Sequence, residues 1–355
     1  MKSAKRIAIY TFLVCLALGE MAISLFYNTN TLNMFKTYYL FLTLTVFFYL
    51  FCSEQNVFSK EPLTKKDKIT SNESLLPYGK KWTLIWHDEF DGNTLDTTKW
   101  NYRLNYWGYK SPTFTKEGVE LDGNGHLKIN LIRKGDNFYS GHLQTGSNTF
   151  DIPREPYSKG FWPFGTRQPA KFMHRFGYYE IRCKLPHNDG WHAAFWLQSP
   201  SIGAHPDPKY CGVECDIMEN YKQHTEGTIG CGNGWGGYGK ENKWFGHFWF
   251  PYVETADGWH TYGVDWSKDG YIFYADGKEV GRQMFPDCPV SEVDQFILVS
   301  TECHGYHRSF GRGDLDKKDE IGWIGKPVPA LFNATLPDCF EVDYVRVFDE
   351  TKTKR

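Results

Sequence analysis

The sequence predicts an all-β protein: a two-sheet antiparallel β-sandwich of the jelly-roll type with one concave face. Three observations point to this fold. Short apolar or alternating runs recur after residue 80, and no long segment keeps a helical period. Turn dipeptides such as Asp269-Gly270 and Asp276-Gly277 separate these runs. Aromatic residues make up 17% of the chain, and their rings favour strands.

The predicted strands follow one another with turn residues between them. The first lies at residues 84–86 and precedes Asp91-Gly92, and the second lies at 127–132. The others lie at residues 177–185, 193–197, 213–218, 261–266, 271–275, 296–300 and 342–348. Many short strands of this kind pack as two sheets.

The segment Glu214-Cys-Asp-Ile-Met-Glu219 carries the strongest functional signal. Alternation along a strand places Glu214 and Asp216 on one face, and Cys215 and Ile217 on the other. Glu219 follows Glu214 by five positions, so a β-bulge beside Ile217 is needed to bring it to the same face. We therefore predict three carboxylates aimed into one space. The alternative interpretation is a solvated acidic edge strand or part of a calcium site.

Clustered carboxylates of this kind have the chemistry of a retaining glycosidase. Like charges at short range raise one another's pKa, so one carboxyl keeps its proton near neutral pH. Retaining cleavage of a glycosidic bond needs an ionised nucleophile and a protonated acid, about 5–5.5 Å apart. No organic cofactor is needed, because two carboxyls and water suffice.

Six segments between residues 82 and 348 occur in the order and spacing of a known family. They are the acid segment, Trp86-His-Asp-Glu-Phe-Asp-Gly92, Phe176-Gly-Tyr-Tyr-Glu-Ile-Arg182, Gly190-Trp-His-Ala-Ala-Phe-Trp-Leu197, Asp257-Gly-Trp-His-Thr-Tyr-Gly-Val-Asp-Trp266 and Phe340-Glu-Val-Asp-Tyr-Val-Arg-Val347. In these segments the chain resembles glycoside hydrolase family 16, the laminarinase, lichenase, agarase and carrageenase group. The five-step acid spacing resembles its laminarinase-like and galactanase-like branches.

The resemblance implies a jelly roll with a concave substrate cleft and assigns roles to the acids. Glu214 is the expected nucleophile, Asp216 its assisting partner, and Glu219 the general acid and base. The implied enzyme is an endo-acting, retaining glycosidase that cleaves internal β-glycosidic bonds of a β-1,3- or β-1,3/1,4-glucan. The alternatives are an endo-β-galactanase (agar, porphyran, carrageenan or host-glycan type) and a cell-surface transglycosylase. A non-catalytic carbohydrate-binding protein is disfavoured because the acids are present.

Further side chains are expected to bind substrate or metal. The expected substrate-binding residues are Trp191, His192, Trp196, Trp235, Trp259, His304 and Arg308. Each tryptophan has a core position as its alternative, and His260 has an internal, hydrogen-bonded position. No cofactor is expected for catalysis. The resemblance implies a structural Ca²⁺ with Asp343 as a ligand.

Three segments depart from the laminarinase pattern. Gly230-Cys231 and the glycine-rich run after it replace a His-Trp-type pair, residues 148–175 form an aromatic and basic insertion, and residues 302–312 contain two histidines and two arginines. The last segment is either a solvated loop or a reader of an acidic or branched sugar, because arginine suits sulfate and carboxylate. These departures weaken the assignment to a plain β-1,3-glucan.

The start of the chain predicts export from the cytoplasm. Apolar runs cover residues 7–26 and 38–52, and Met34-Phe-Lys36 makes Met34 a candidate true start and Cys52 a candidate lipidated residue. We therefore predict a signal or anchor region at 1–52, a polar linker at 53–80 and a catalytic domain at 81–350. The expected location is extracellular, periplasmic or at the cell surface, with membrane anchoring left open.

Composition limits the partners and leaves the cysteines unassigned. The net charge of −2 gives no indication of nucleic acid as a partner, and we expect a monomer that binds a polysaccharide. Nine cysteines are present, of which seven follow residue 80, so complete pairing among those seven is excluded. One or two disulfides, for example involving Cys211 and Cys231, are left open. Cys215 is expected to be a small buried side chain.

Overall fold

Two eight-stranded antiparallel sheets dominate the computed structural model, which describes residues 73–106, 109–151, 168–220, 227–237, 242–246, 248–310 and 321–351. The back sheet contains β1 (Trp82–Asp88), β5 (Val119–Leu121), β6 (Leu127–Asn130), β10 (Gly177–Lys184), β16 (His260–Ser267), β17 (Gly270–Ala275), β18 (Lys278–Met284) and β22 (Cys339–Glu350). The acid sheet contains β2 (Asn101–Tyr102), β9 (His142–Gln144), β11 (Trp191–Gln198), β12 (Glu214–Asn220), β13 (Thr228–Trp235), β14 (Lys243–Trp244), β15 (Phe248–Pro251) and β19 (Phe296–Cys303).

Smaller elements connect these sheets. Paired ribbons are formed by β3 (Asn105–Tyr106) with β4 (Tyr109–Lys110), β7 (Ile132–Lys134) with β8 (Asn137–Tyr139), and β20 (Tyr306–Phe310) with β21 (Ile321–Gly325). A helical turn, α1, covers Pro329–Phe332, and 3₁₀ turns cover Lys116–Gly118, Thr149–Asp151 and Pro208–Tyr210.

The strand order of each sheet differs from the chain order, as a jelly roll requires. The back sheet runs β18-β17-β16-β10-β22-β6-β5, with β1 also paired to β22. The acid sheet runs β14-β13-β12-β11-β19-β9-β2, with β15 also paired to β13. Each of the nine predicted strands overlaps an observed one, and the predicted all-β sandwich is confirmed.

The main core lies between the two sheets. Tyr179 and Ile181 of β10 and Val345 of β22 belong to the same buried cluster as Phe195 of β11 and Val299 of β19. Each of these side chains is fully buried, and burying one such side chain contributes about 1.5–3 kcal/mol. Because alternate residues of a strand face opposite ways, the other face of the acid sheet carries a different set of side chains. Part of that face is a smaller buried apolar cluster of Ala194, Trp196, Phe296 and Leu298.

Residues 74–80, at the end of the predicted linker, contact the back sheet. The backbone N–H of Leu75 donates a 2.9 Å hydrogen bond to Glu180, and Lys80 forms a 2.6 Å ion pair with Asp265. The predicted signal, start and lipidation positions before residue 73, Met34 and Cys52 included, lie outside the described residues. Within the described ranges, no helix has the length and apolar character needed to cross a membrane.

The seven cysteines after residue 80 are all free thiols. Six are buried and Cys339 is half-buried. The disulfide that was left open between Cys211 and Cys231 is therefore not formed. Cys215 lies in the main core, as predicted, and burial raises the pKa of its thiol well above the ordinary value.

Candidate active site

The three acids of β12 lie on the face of the acid sheet that points away from the core. Asp216 and Glu219 are nearly buried, and Glu214 is half-buried. The residues between them belong to the main core: Cys215, Ile217 and Met218. Two successive core-facing residues separate Asp216 from Glu219, so the alternation of the strand is broken once.

A β-bulge causes this break, and the pairing with β11 locates it. Met218 pairs with Phe195, and Asp216 pairs with the next residue, Trp196, so Ile217 is the extra residue. The register with β13 shifts between the same two acids. The predicted bulge is confirmed, and it returns the third carboxylate to the face of the first two.

Burial and mutual repulsion set the electrostatics of the acids. Burial raises the pKa of Glu214 well above its ordinary value, and the charges of Asp216 and Glu219 raise it further. Two features oppose this shift. The guanidinium of Arg103 lowers the pKa of Glu214, and Gln198 Nε2 donates a 3.1 Å hydrogen bond to Glu214 Oε2. The group therefore retains a proton more readily than separate carboxyls would.

A fourth carboxyl, Glu302 of β19, completes the acidic face. It pairs with His192 of β11, two residues along the strand from Ala194, which pairs with Glu219. Burial raises the pKa of Glu302 to about 7, and the charge of Glu219 acts in the same direction. The sequence interpretation noticed only the histidines and arginines of this segment. The alternation of β19 would have placed Glu302 on the acid face.

Arg103 supplies buried positive charge beside the acids. It follows β2, is 2% exposed, and its Nε donates a 2.7 Å hydrogen bond to Asp151. Its guanidinium lies over the rings of Tyr106, at 4.3 Å, and Trp196, at 5.7 Å. The charges of Asp151 and Glu302 raise the pKa of Arg103. Arg103 was missed because a single arginine in a loop has no sequence signature.

Three of the predicted substrate-binding residues lie at or beside the acid face. Trp196 Nε1 donates a 3.1 Å hydrogen bond to Ser300, and the ring lies 5.9 Å from that of His142. His192 and His304 are joined by a 2.8 Å hydrogen bond between Nδ1 and Nε2. These contacts fit the predicted positions of Trp196, His192 and His304, whose binding roles stay predictions.

Three predicted substrate-binding tryptophans lie elsewhere. Trp191 is 1% exposed and belongs to a second buried cluster with Leu131 and Leu331. Trp235 packs against the main core, because it shares the core-facing phase of β13 with Cys231. Placing these two rings in the cleft was wrong. Both sit on strands whose alternation points them away from the acids.

Trp259 directly precedes β16 of the back sheet. Arg182 and Lys184 of β10 lie over its ring at 4.6 and 4.5 Å. Its predicted substrate-binding position at the cleft is therefore also wrong. The neighbouring His260 is internal, with a hydrogen bond of 2.9 Å between its Nδ1 and Asp276. Arg308 lies on β20, in the segment that the sequence singled out.

The predicted calcium ligand, Asp343, is paired with a cation of the protein itself. Arg182 Nη1 donates a 2.5 Å hydrogen bond to Asp343 Oδ2, and both side chains are buried. The guanidinium charge opposes a second cation at this carboxylate, so the residues here do not fit a calcium ion that Asp343 would hold. Asp122, His126 and Glu341 converge nearby, but Lys128 Nζ lies only 3.5 Å from Asp122.

The comparisons with known proteins agree with this architecture. The profile of glycosyl hydrolases family 16 matches residues 120–287. Residues 120–287 of this chain form a glycoside hydrolase family 16 domain. Glucan endo-1,3-beta-glucosidase A1 of Niallia circulans is 29% identical over 287 residues, covering 75% of this chain and 38% of the relative. Keratan-sulfate endo-1,4-beta-galactosidase of Sphingobacterium multivorum is 25% identical over 321 residues, covering 84% and 63%.

The chain thus spans between about two fifths and two thirds of the length of these family 16 relatives. Among solved structures, the laminarinase of Flavobacterium sp. UMI-01 superposes with a TM-score of 0.52 at 22% identity, covering 75% of this chain and all of that one. This likeness shows that the family 16 fold is shared.

Proposed function

We propose that the protein is an endo-acting, retaining glycosidase that cleaves internal β-glycosidic bonds of a polysaccharide. The observation that carries this proposal is the bulged strand β12, which brings Glu214, Asp216 and Glu219 to one face. Membership of family 16 supports it, because the resemblance assigns these same positions to catalysis.

In the proposed reaction Glu214 attacks the anomeric carbon while Glu219 gives its proton to the departing glycosidic oxygen. A covalent glycosyl–Glu214 ester forms and the leaving-group sugar departs. Glu219 then removes a proton from water, which attacks the same carbon and releases Glu214. Asp216 lies between Glu214 and Glu219 along the strand, and its charge raises the pKa of Glu214.

The nucleophile has to be ionised, although burial and its neighbours raise the pKa of Glu214. The Gln198 hydrogen bond and the Arg103 charge both favour the ionised form of Glu214. We propose that the proton shared by the group resides on Glu219 when substrate is bound. Carboxyls in different surroundings can then act as acid and nucleophile in one site.

We propose a β-1,3- or β-1,3/1,4-glucan as substrate, on the strength of the endo-1,3-beta-glucosidase relative. The second candidate is an endo-β-galactanase. It is favoured by the keratan-sulfate endo-1,4-beta-galactosidase, which matches 84% of the chain, and by Gly230-Cys231, which departs from the laminarinase pattern. A cell-surface location, an N-terminal membrane anchor and a monomeric state also stay proposals.

The test uses the full chain and its Glu214→Gln variant. Each is incubated with laminarin, mixed-linkage glucan, agarose, porphyran, carrageenan and keratan sulfate, and released oligosaccharides are followed by mass spectrometry. We expect short oligomers from one polymer and a loss of at least about 10³-fold in the variant. Substantial activity in a folded Glu214→Gln protein would refute the assignment. Products longer than an oligosaccharide substrate would indicate transglycosylation.

A further inference from the structure

The residues of β13 that face the acids are all glycines. Gly230 pairs with Glu219 and Gly234 pairs with Glu214, with Gly232 between them. Directly opposite residues of an antiparallel pair point to the same face. On this side of the acids, the neighbouring strand therefore presents no side chain to the acid face. We call these three glycines the glycine strip.

Two tryptophans from the edge strands lie over the glycine strip. Trp249 of β15 pairs with Gly230, and Trp244 of β14 pairs with Gly234. A Cβ atom at Gly230 would lie 2.8 Å from the six-membered ring of Trp249, and one at Gly234 would lie 2.9 Å from that of Trp244. Both indoles therefore extend from the edge of the sheet toward the acids.

The rings, and not the backbone, require glycine at these positions. Gly230 and Gly234 are absent from the described glycines with positive φ, so alanine would fit their backbone conformation. Only the contact with the indole excludes it. At both positions, glycine therefore leaves the space that the indole ring occupies.

Both rings are partly exposed to solvent. Trp249 is 45% exposed and Trp244 is 39% exposed. The neighbours of Trp249, Phe248 and Phe250, pack against the main core instead, so the exposure of Trp249 follows from strand alternation. Large exposed apolar surface beside a polar site marks a binding surface. A flat ring with an apolar face suits the C–H face of a pyranose.

We propose that Trp244 and Trp249 are specificity-determining residues that stack on pyranose rings of the polysaccharide, on the β13 side of the acids. This proposal rests on the proposed function. The two glycines are four positions apart, so the rings are spread over about 13 Å along the strand. A sugar without bulky or charged substituents on its stacking face is favoured, because a sulfate there would lift the ring off the indole.

The test measures glycan binding and turnover separately. Binding is measured in the Glu214→Gln background by affinity electrophoresis in gels that contain the polysaccharide cleaved by the parent. Trp249→Ala and Trp244→Ala should each weaken binding about three- to tenfold, and in the active enzyme should raise KM more than they lower kcat. Phe285→Ala is the matched control, because Phe285 is a 67% exposed ring that follows β18 of the back sheet.

Gly230→Ala provides a second, independent variant. The added methyl should displace the Trp249 ring from its position over Gly230. Gly230→Ala should therefore weaken glycan binding as much as Trp249→Ala does, although the ring is present. Unchanged binding and KM in both tryptophan variants, with a parent that cleaves its polymer, would overturn the stacking role of Trp244 and Trp249 alone. A parent that neither binds nor cleaves any of the six polysaccharides would overturn the proposed function and this stacking role together.

Discussion

Gln198 and the proposed nucleophile Glu214 are joined by a 3.1 Å hydrogen bond from the amide Nε2 to the carboxylate Oε2. An uncharged donor from β11 thereby stabilises the ionised form of a carboxyl whose surroundings favour protonation. A hydrogen bond to a charged group contributes about 1.5–3 kcal/mol. The proposed reaction depends on this contact, because a protonated Glu214 cannot attack.

Replacing Gln198 with methionine keeps the volume of the side chain and removes the donor. We expect kcat/KM to fall about 10- to 100-fold. The acidic limb of its pH profile should move to higher pH, because the pKa of Glu214 rises when the ionised form loses a hydrogen bond. Ser300→Ala is the control, since Ser300 accepts from Trp196 instead. An unshifted limb in Gln198→Met would contradict this role.

Asp216→Asn should move the same limb in the opposite direction. The charge of Asp216 raises the pKa of Glu214, so removing the charge should lower that pKa and extend activity to lower pH. The maximal rate should nevertheless fall, because the assisting carboxylate is lost. The pH profile of kcat/KM is the measurement. A limb that moves to higher pH would show that Asp216 acts chiefly as a hydrogen-bond partner.

Glu302 predicts a dependence of stability on pH. Its pKa is about 7 in the folded protein against an ordinary value of 4.5. The folded state therefore binds the proton more tightly, and this stabilisation is complete below pH 4.5 and is lost as the pH rises through 7. The loss is about 3 kcal/mol.

We expect Glu302→Gln to flatten the fall in Tm between pH 5 and pH 8, as measured by calorimetry. Glu254, an exposed carboxyl, provides the matched control, because Glu254→Gln removes a charge without removing a buried one. If the Tm of Glu302→Gln has the same pH dependence as that of the parent, the Glu302 carboxyl is solvated and burial does not raise its pKa.

The ion pair of Arg182 with Asp343 predicts little response to calcium. Because the guanidinium already neutralises the carboxylate, we expect CaCl₂ or EGTA to change Tm by less than about 1 °C. Asp343→Asn should destabilise the protein whether or not calcium is present, since it leaves Arg182 buried and unpaired. A calcium-dependent rise in Tm that disappears in Asp343→Asn would instead establish the calcium site that the sequence predicted.

The bulge in β12 could be predicted from the sequence because the spacing of the three acids does not match the two-residue alternation of a regular strand. Three carboxylates within six residues, the outer two five positions apart, can share one face of a strand only with a bulge, and Ile217 is the extra residue found. Strand alternation also predicts the orientation of Trp235. It lies four positions after the core residue Cys231 on β13 and therefore points to the core. Correct use of that alternation would have kept Trp235 out of the cleft.

Other parts of the site depend on contacts between distant segments. Trp249 becomes important only when β15 pairs with β13, and no local pattern predicts that partner. Arg103 and Glu302 interact across the sheet, although almost 200 residues of chain separate them. The position of Trp259 was wrongly predicted for the same reason. The resemblance identified the segment that contains Trp259 but did not show that this segment leads into the back sheet.

The glycine strip has a consequence for how the specificity of this protein can change. The positions of the Trp249 and Trp244 rings depend on the missing side chains of Gly230 and Gly234, on a strand whose backbone is held by neighbours on both edges. A glycine codon is one nucleotide from codons for alanine, valine, arginine and an acidic residue. Single point mutations at Gly230 or Gly234 would therefore displace an indole ring or place a charge beside it while leaving the acids in place, so altered glycan preferences lie within one mutational step.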